Sequence, residues 1–243
     1  MANTPSAAPS GLTPEIAELI EQVGKDAESE TRPQMDSPTP PKVEASPAPE
    51  TRSTQDELAY RLKQQSLLAR FGEVALRERD RQALLEAACE ACAEGLETPY
   101  SKILVHDQEA DRLVLVAGVG WRTAVEGVTS LSVELDSPAG YAFKTGKPLI
   151  SNHLEIEERF STPRLLAEHG VRRAINVLIR PEVDGAPWGV LEVDSPAEGQ
   201  FDPRDALFLD AFAAVVGAAI SRQDTEQRLV AAIEHQALLT REV

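Results

Sequence analysis

The chain has 243 residues and sets 24 Lys and Arg against 40 Asp and Glu, for a net charge of −16. Phosphate-backbone binding needs a basic surface, so no nucleic-acid partner is expected. No apolar run of about 18 residues occurs, and "MANTPSAAPSG" lacks the basic and apolar regions of a secretion signal, so a cytoplasmic protein with no membrane partner is expected.

Residues 1–52 hold nine of the 17 prolines, many acidic residues and few large apolar ones. Such a segment buries too little surface to offset its ordering entropy, and it reads as a disordered tail. Within it, Thr13 and Pro14 mark a helix start, and Ile16, Leu19, Ile20 and Val23 make an apolar stripe. A short helix over 14–23 is therefore expected, either as a docking element for a partner or for its own domain, or as a transient helix in the tail.

From Asp56 to Leu96 the pattern is helical. Leu58, Leu62, Leu68, Phe71 and Val74 predict one apolar face. Asp80 caps a second helix with Leu85, Cys89, Cys92 and Leu96 inward. Strand signals follow at 101–106, 112–121 and 131–135. "SPAGYAFKTGKP" then spells a small helix that Ser137 caps, Pro138 starts and Gly146 ends. "PLIS" is a short strand, and "STPRLLAEHG" repeats the small-helix grammar. Residues 173–181 and 188–195 form a hairpin around Asp184–Gly185. The sum is an α+β domain over 56–222, with about six strands in a mainly antiparallel sheet and flanking helices.

A long helix opens with Asp202 as cap and Pro203 at its first position. Leu209, Phe212, Val216 and Ala219 carry an apolar seam. Gln223 and Glu226 interrupt it, and Val230, Ile233 and Ala237 resume it at sevenfold spacing. Residues 223–243 are expected to be a coiled-coil signalling helix that needs a partner helix, and hence a homodimer.

Catalytic signatures are few. Cys89 and Cys92 form C-x-x-C without further ligands for zinc, and their place on an apolar stripe reads as core. No metal site and no catalytic constellation is expected. A binding pocket is better supported. If the hairpin pairs Arg180 with Trp188, Asn176 lies opposite Glu192 on one face, while Ile175, Val177, Leu191 and Val193 form core on the other. The loop at Trp121 and the helix near 163–169 would cover that face, bringing Phe160, Arg164 and His169 to it.

The ordered set "AGVGW", "SPAGYAFKTGKPLIS", "RFSTPRLLAEHGVRRAINVLI", "PWGVLEVDS" and "FDPRDALFLDAFAAVVGAAI" resembles a bacterial GAF domain over residues 60–222. The resemblance implies a regulatory module that senses a small molecule. Cyclic-nucleotide members carry Asn-Lys where this chain has Asp194–Ser195, and a Glu where it has Ala206, so a cyclic nucleotide is not expected. Covalent bilin is not expected either, because "STPRLLAEHGVRR" has no Cys. The identity of any cofactor is left open. The final residues, "RLVAAIEHQALLTREV", resemble the linker before the phosphoacceptor helices of sensor histidine kinases in two-component systems. The expected function is a sensory module that is the input part of, or partner to, such a kinase. A thiol enzyme like the GAF-type free methionine sulfoxide reductases, and a ligand-free dimerisation scaffold, are the alternatives.

Overall fold

In the computed structural model, the structure describes residues 53–121, 130–132, 135–182 and 185–241. The tail, its expected helix over 14–23 and Asp184 of the hairpin turn lie outside the described residues. Helix α1 is Thr54–Arg77 and α2 is Arg81–Gly95. Strands β1 (Tyr100–Asp107), β2 (Arg112–Val119) and β3 (Ser130–Ser132) follow, then α3 (Pro138–Thr145) and β4 (Leu149–Ser151). A 3₁₀ turn at Leu154–Ile156, α4 (Arg164–Glu168), β5 (Arg173–Ile179), β6 (Gly189–Ser195) and α5 (Pro203–Arg241) complete the order. Among the described residues, all strand pairs are antiparallel, in the order β3-β2-β1-β6-β5-β4.

Side-chain hydrogen bonds fix the helix starts, at Asp80 and Ser137 where the sequence places them and at Ser53 three residues before the expected Asp56. Ser53 caps α1, Asp80 caps α2 and Ser137 caps α3, each accepting a backbone N–H of the first turn. Gly146 ends α3 with φ +67°, a conformation that costs a glycine nothing. At α5, Asp202 Oδ1 accepts from the N–H groups of Arg204 and Asp205, and Asp205 Oδ2 accepts from the Asp202 N–H in return. That reciprocal arrangement satisfies donors that a bare helix start leaves unpaired.

One face of the sheet packs on helices. Ile103, Ile175, Val177, Leu191 and Val193 meet Leu84, Cys89 and Cys92 of α2 and Leu209, Phe212 and Val216 of α5 in a continuous core. Helix α1 lies over α2 and α5, and Phe71 stacks on Phe212 with ring centroids 4.9 Å apart. The expected apolar face of α1 needs correction. Leu58 and Leu62 are 61% exposed and Val74 is also exposed, while Tyr60, Gln64, Leu67, Phe71 and Ala75 point inward. The reason is polar: Tyr60, Arg61 and Gln64 all donate to Asp205 Oδ1, so the α1–α5 contact is built around a buried carboxylate.

Helices α1 and α5 run parallel. Arg61 pairs with Asp202 and Asp205 at their starts, and Arg222 reaches the carbonyls that end α1. Gln223, expected as a polar interruption at the start of the coiled-coil segment, belongs to the domain instead. It is buried, accepts from Arg81 Nε and donates to the Glu78 carbonyl. Beyond it, every residue from 225 to 237 is exposed.

Candidate functional site

The other face of the sheet carries the site. Strand alternation puts Lys102 and Leu104 of β1, Asn176 and Leu178 of β5, and Val190, Glu192 and Asp194 of β6 on it. The register is the expected one: Ile179 pairs with Gly189 and Asn176 with Glu192. Lys102 pairs with Glu192 from the other side, so Glu192 sits between an amide and an ammonium on adjacent strands. Half of this face is apolar, with Leu104, Leu113, Leu115, Leu178 and Val190 under Ala139 of α3. The polar half lies beside it.

Lys102, Asn176, Glu192 and Asp194 are all 0% exposed. Lys102 Nζ donates to Asp194 Oδ2 at 2.5 Å and stands 2.9 Å from Glu192 Oε2. The ammonium is aimed at Asp194, so Glu192 Oε2 is an ion-pair neighbour without a directed hydrogen bond. Burial pulls the Lys102 ammonium down, but the two carboxylates outweigh it and its pKa is raised, so it stays charged. Asp194 is pushed well above the usual carboxylate range, first by burial and then by the Glu192 charge, against the pull of Lys102. Two carboxylates share one ammonium, so one carboxylate on this face has no cation of its own. Several polar atoms remain unpaired: both amide atoms of Asn176, Glu192 Oε1 and Asp194 Oδ1 have no hydrogen-bond partner.

Aromatic rings close over this cluster. The Trp121 ring lies 4.6 Å from Lys102 Nζ and is fixed by its Nε1–H, which donates to the Ser101 carbonyl at 3.0 Å. Tyr100 stacks on Trp121 at 4.7 Å, and His169 meets both rings edge-on, at 5.4 Å from Tyr100 and 5.0 Å from Trp121. The His169 Nδ1 is 2.8 Å from the Leu165 carbonyl, which ties the ring to the end of α4.

Of the residues expected at the site, Trp121 stands over Lys102 and contacts His169, and Asn176 and Glu192 lie side by side below. Phe160 is buried nearby among Leu149, Leu154 and Leu166, and its ring meets Tyr141 at 5.8 Å. Arg164 does not join them: its side chain is 90% exposed and pairs with Glu168 along α4. Helix α4 turns its Leu166 inward instead. Lys102, Asp194 and Tyr100 are the residues that sequence reasoning missed. A signal existed for two of them. Lys102 shares the parity of Leu104 in a buried strand, and Asp194 shares that of Glu192, so each had to face an interior.

Cys89 and Cys92 lie in the helical core, on the opposite side of the sheet from these charges, and are 1% and 0% exposed. Burial, and secondarily Cys89, pushes the Cys92 thiol well up, the reverse of what a nucleophile needs. Among the described residues, no cluster of His, Cys, Asp and Glu is arranged to hold a metal ion, and no helix is long and apolar enough to cross a membrane.

An antiparallel sheet with helices on one face and a buried polar cluster under short helices on the other defines an α+β domain. The model of the GAF domain family matches residues 80–220, and the chain belongs to that family of regulatory sensory modules. Among solved structures, it is similar to the GAF domain of a phosphoenolpyruvate-protein phosphotransferase from Coxiella burnetii, at 14% identity and TM-score 0.62, over 69% of this chain and 98% of that one. It is similar to a free methionine-R-sulfoxide reductase from Neisseria meningitidis in complex with its substrate, at 23% identity and TM-score 0.58, over 73% and 98%. A segment of a methyl-accepting chemotaxis protein follows at 18% identity and TM-score 0.54, over 64% and 97%. At these identities the likeness is one of fold. No curated protein sequence matches the chain.

Proposed function

We propose that this GAF domain is the small-molecule-sensing input of a bacterial signalling protein in the cytoplasm. A ligand binds over Lys102, Asn176, Glu192 and Asp194, and α5 passes the change to a dimeric C-terminal helix. In this reading residues 56–222 form the sensor and 223–243 the output, acting as the front part of, or a partner to, a sensor histidine kinase. A ligand acts here only through its different affinity for two arrangements of the helices.

The observation that carries the reading is Asn176. Its side chain is wholly buried, yet neither amide atom is hydrogen-bonded. A buried polar group left unpaired costs about 1–3 kcal/mol, and Glu192 Oε1 and Asp194 Oδ1 add to that cost. A bound molecule repays it. The dimer is supported by the exposed Leu229, Val230 and Ile233, apolar groups on a stretch of α5 that the domain does not cover.

Native mass spectrometry of the purified full chain tests this reading. A retained small molecule is expected in the parent, with the mass of a dimer. Asn176→Leu should lose the ligand while keeping its far-UV circular dichroism. A ligand-free parent whose stability rises on Asn176→Leu would show a cluster with no binding role, and the reading would fail.

A further inference from the structure

The polar face holds more negative charge than it balances. Lys102 is the ion-pair partner of both Glu192 and Asp194, and among the described residues no second Lys or Arg pairs with either carboxylate. The far oxygen of each, Glu192 Oε1 and Asp194 Oδ1, accepts no hydrogen bond. Asn176 stands opposite Glu192 in register with its carbonyl oxygen also unused. Three acceptors and one uncompensated charge therefore converge on the same few ångströms of sheet.

Each class of ligand meets that arrangement differently. An anion would face two carboxylates and pay for its own desolvation as well. An apolar molecule would leave the oxygens unpaired. A neutral donor would pair them and leave the charge. An organic cation carrying N–H groups does both at once, and charge-assisted hydrogen bonds are the stronger kind. The site already shows that it accommodates such a group, because the Lys102 ammonium sits between the carboxylates and 4.6 Å from the Trp121 ring.

Resting on the ligand-pocket reading above, we infer that the molecule sensed is a small organic cation, a protonated primary amine. Its ammonium donates to Glu192 Oε1 and Asp194 Oδ1, and its carbon skeleton lies against the rings of Trp121, Tyr100 and His169. Asn176 reads whatever polar group the amine carries next to its nitrogen. Lys102 is not displaced. It neutralises one carboxylate permanently, so that the site takes a single positive charge.

Isothermal titration calorimetry of the full chain at constant ionic strength tests the inference, with ethylammonium chloride, sodium propionate and 1-propanol as probes of like size. Ethylammonium alone should saturate, at one per chain, and Glu192→Gln should weaken it at least tenfold. A check that needs no variant is the nuclear Overhauser effect from the ethylammonium methylene protons to the Trp121 indole, which should be present at saturation. Saturation by propionate or propanol instead, lost in Asn176→Leu, would keep the pocket and overturn its preference for a cation. Saturation by ethylammonium without the indole contact would overturn the placement. Failure of all three probes to saturate would overturn the cation inference. The retained compound in the native mass spectrum then judges the pocket separately: a neutral or anionic molecule keeps it, and an empty site removes both readings.

Discussion

Lys102 shows how much one side chain decides. It is among the largest of the fully buried side chains, and it holds two carboxylates that the sheet would otherwise bury uncompensated. Breaking a buried ion pair from one side costs about 3–5 kcal/mol, and Lys102→Met is expected to lose that much in urea unfolding at neutral pH. The pH dependence has a definite sign. Asp194 already binds its proton more tightly folded than unfolded, and without the ammonium's opposing pull it does so more strongly, so the variant's deficit should shrink as pH falls toward the ordinary carboxylate range. A deficit that does not change with pH would mean the loss is one of packing. Glu157 runs the other way. Hydrogen bonds from Arg159, then from Ser151, outweigh burial and hold its carboxyl at about 2, against 4.5 for a free one. Its contribution is complete above the unfolded value and is lost as pH falls through the folded one. Glu157→Gln should therefore destabilise the protein at neutral pH, with the difference from the parent closing as pH approaches about 2. At this scale the sequence was legible where alternation settles the matter: Asn176 and Glu192 follow from the period of two and the turn. The Lys102–Asp194 bond was not, because its partners lie 92 residues apart and no local pattern announces that β1 and β6 are neighbours.

Among the elements, caps were the most readable features and faces the least. Asp80, Ser137 and Asp202 each cap the helix they precede in the sequence, because capping is a contact between residues two or three apart. The face of α1 followed no such local rule. Leu58 and Leu62 look like core by periodicity, yet the turn they share is oriented by Tyr60, Arg61 and Gln64 reaching Asp205 of a helix that begins some 140 residues later. The far end of that contact is as polar as the near end. The Arg222 guanidinium donates to the carbonyls of Ala75, Leu76 and Glu78, and Arg81 pairs with Asp224, so the end of α1 is capped by the helix that leaves the domain. Arg222→Met should cost about 1–2 kcal/mol, since the exposed Leu76 carbonyl regains water while the part-buried bonds to Ala75 and Glu78 are lost. Hydrogen exchange should quicken in the last turn of α1 and at 222–226 together, whereas quickening in only one of them would mean that the two ends are not coupled. In the middle of α5 the forces are apolar. Phe212 is 0% exposed between Phe71 and Phe208, and Phe212→Ala should lose about 3–5 kcal/mol.

For the molecule as a whole, the long last helix has two segments in succession along one rod. From Pro203 to Asp224 it is a wall of the domain: Leu209, Phe212, Val216 and Ile220 are in the core, and Gln223 and Asp224 are tied to the α1–α2 corner. From 225 to 241 it runs on for about 25 Å at 1.5 Å per residue. Leu229, Val230 and Ile233 there are 61%, 55% and 59% exposed. A sevenfold apolar spacing on a solvated helix is satisfied by a second helix and by little else, so the two segments should respond to damage independently. A chain cut after Asp224 keeps every contact of the first segment, and it should melt at nearly the parent temperature while sedimenting as a monomer. Ile233→Asp leaves the helix in place and buries an unpaired charge only if a partner helix is there. It should leave the melting of the domain unchanged and raise the dimer dissociation constant by at least tenfold. The exposed leucines of α1 offer the competing account, because Leu58, Leu62 and Leu76 would form a second apolar surface untouched by either change. Sedimentation equilibrium separates the two. If the cut chain and Ile233→Asp both remain as dimeric as the parent, the dimer is held by the domain, and α5 beyond Asp224 is not what joins the copies. If both dissociate, α5 beyond Asp224 joins the copies, and the route proposed for a signal from the Lys102 face runs through the Arg222 and Arg81 clamp and along α5.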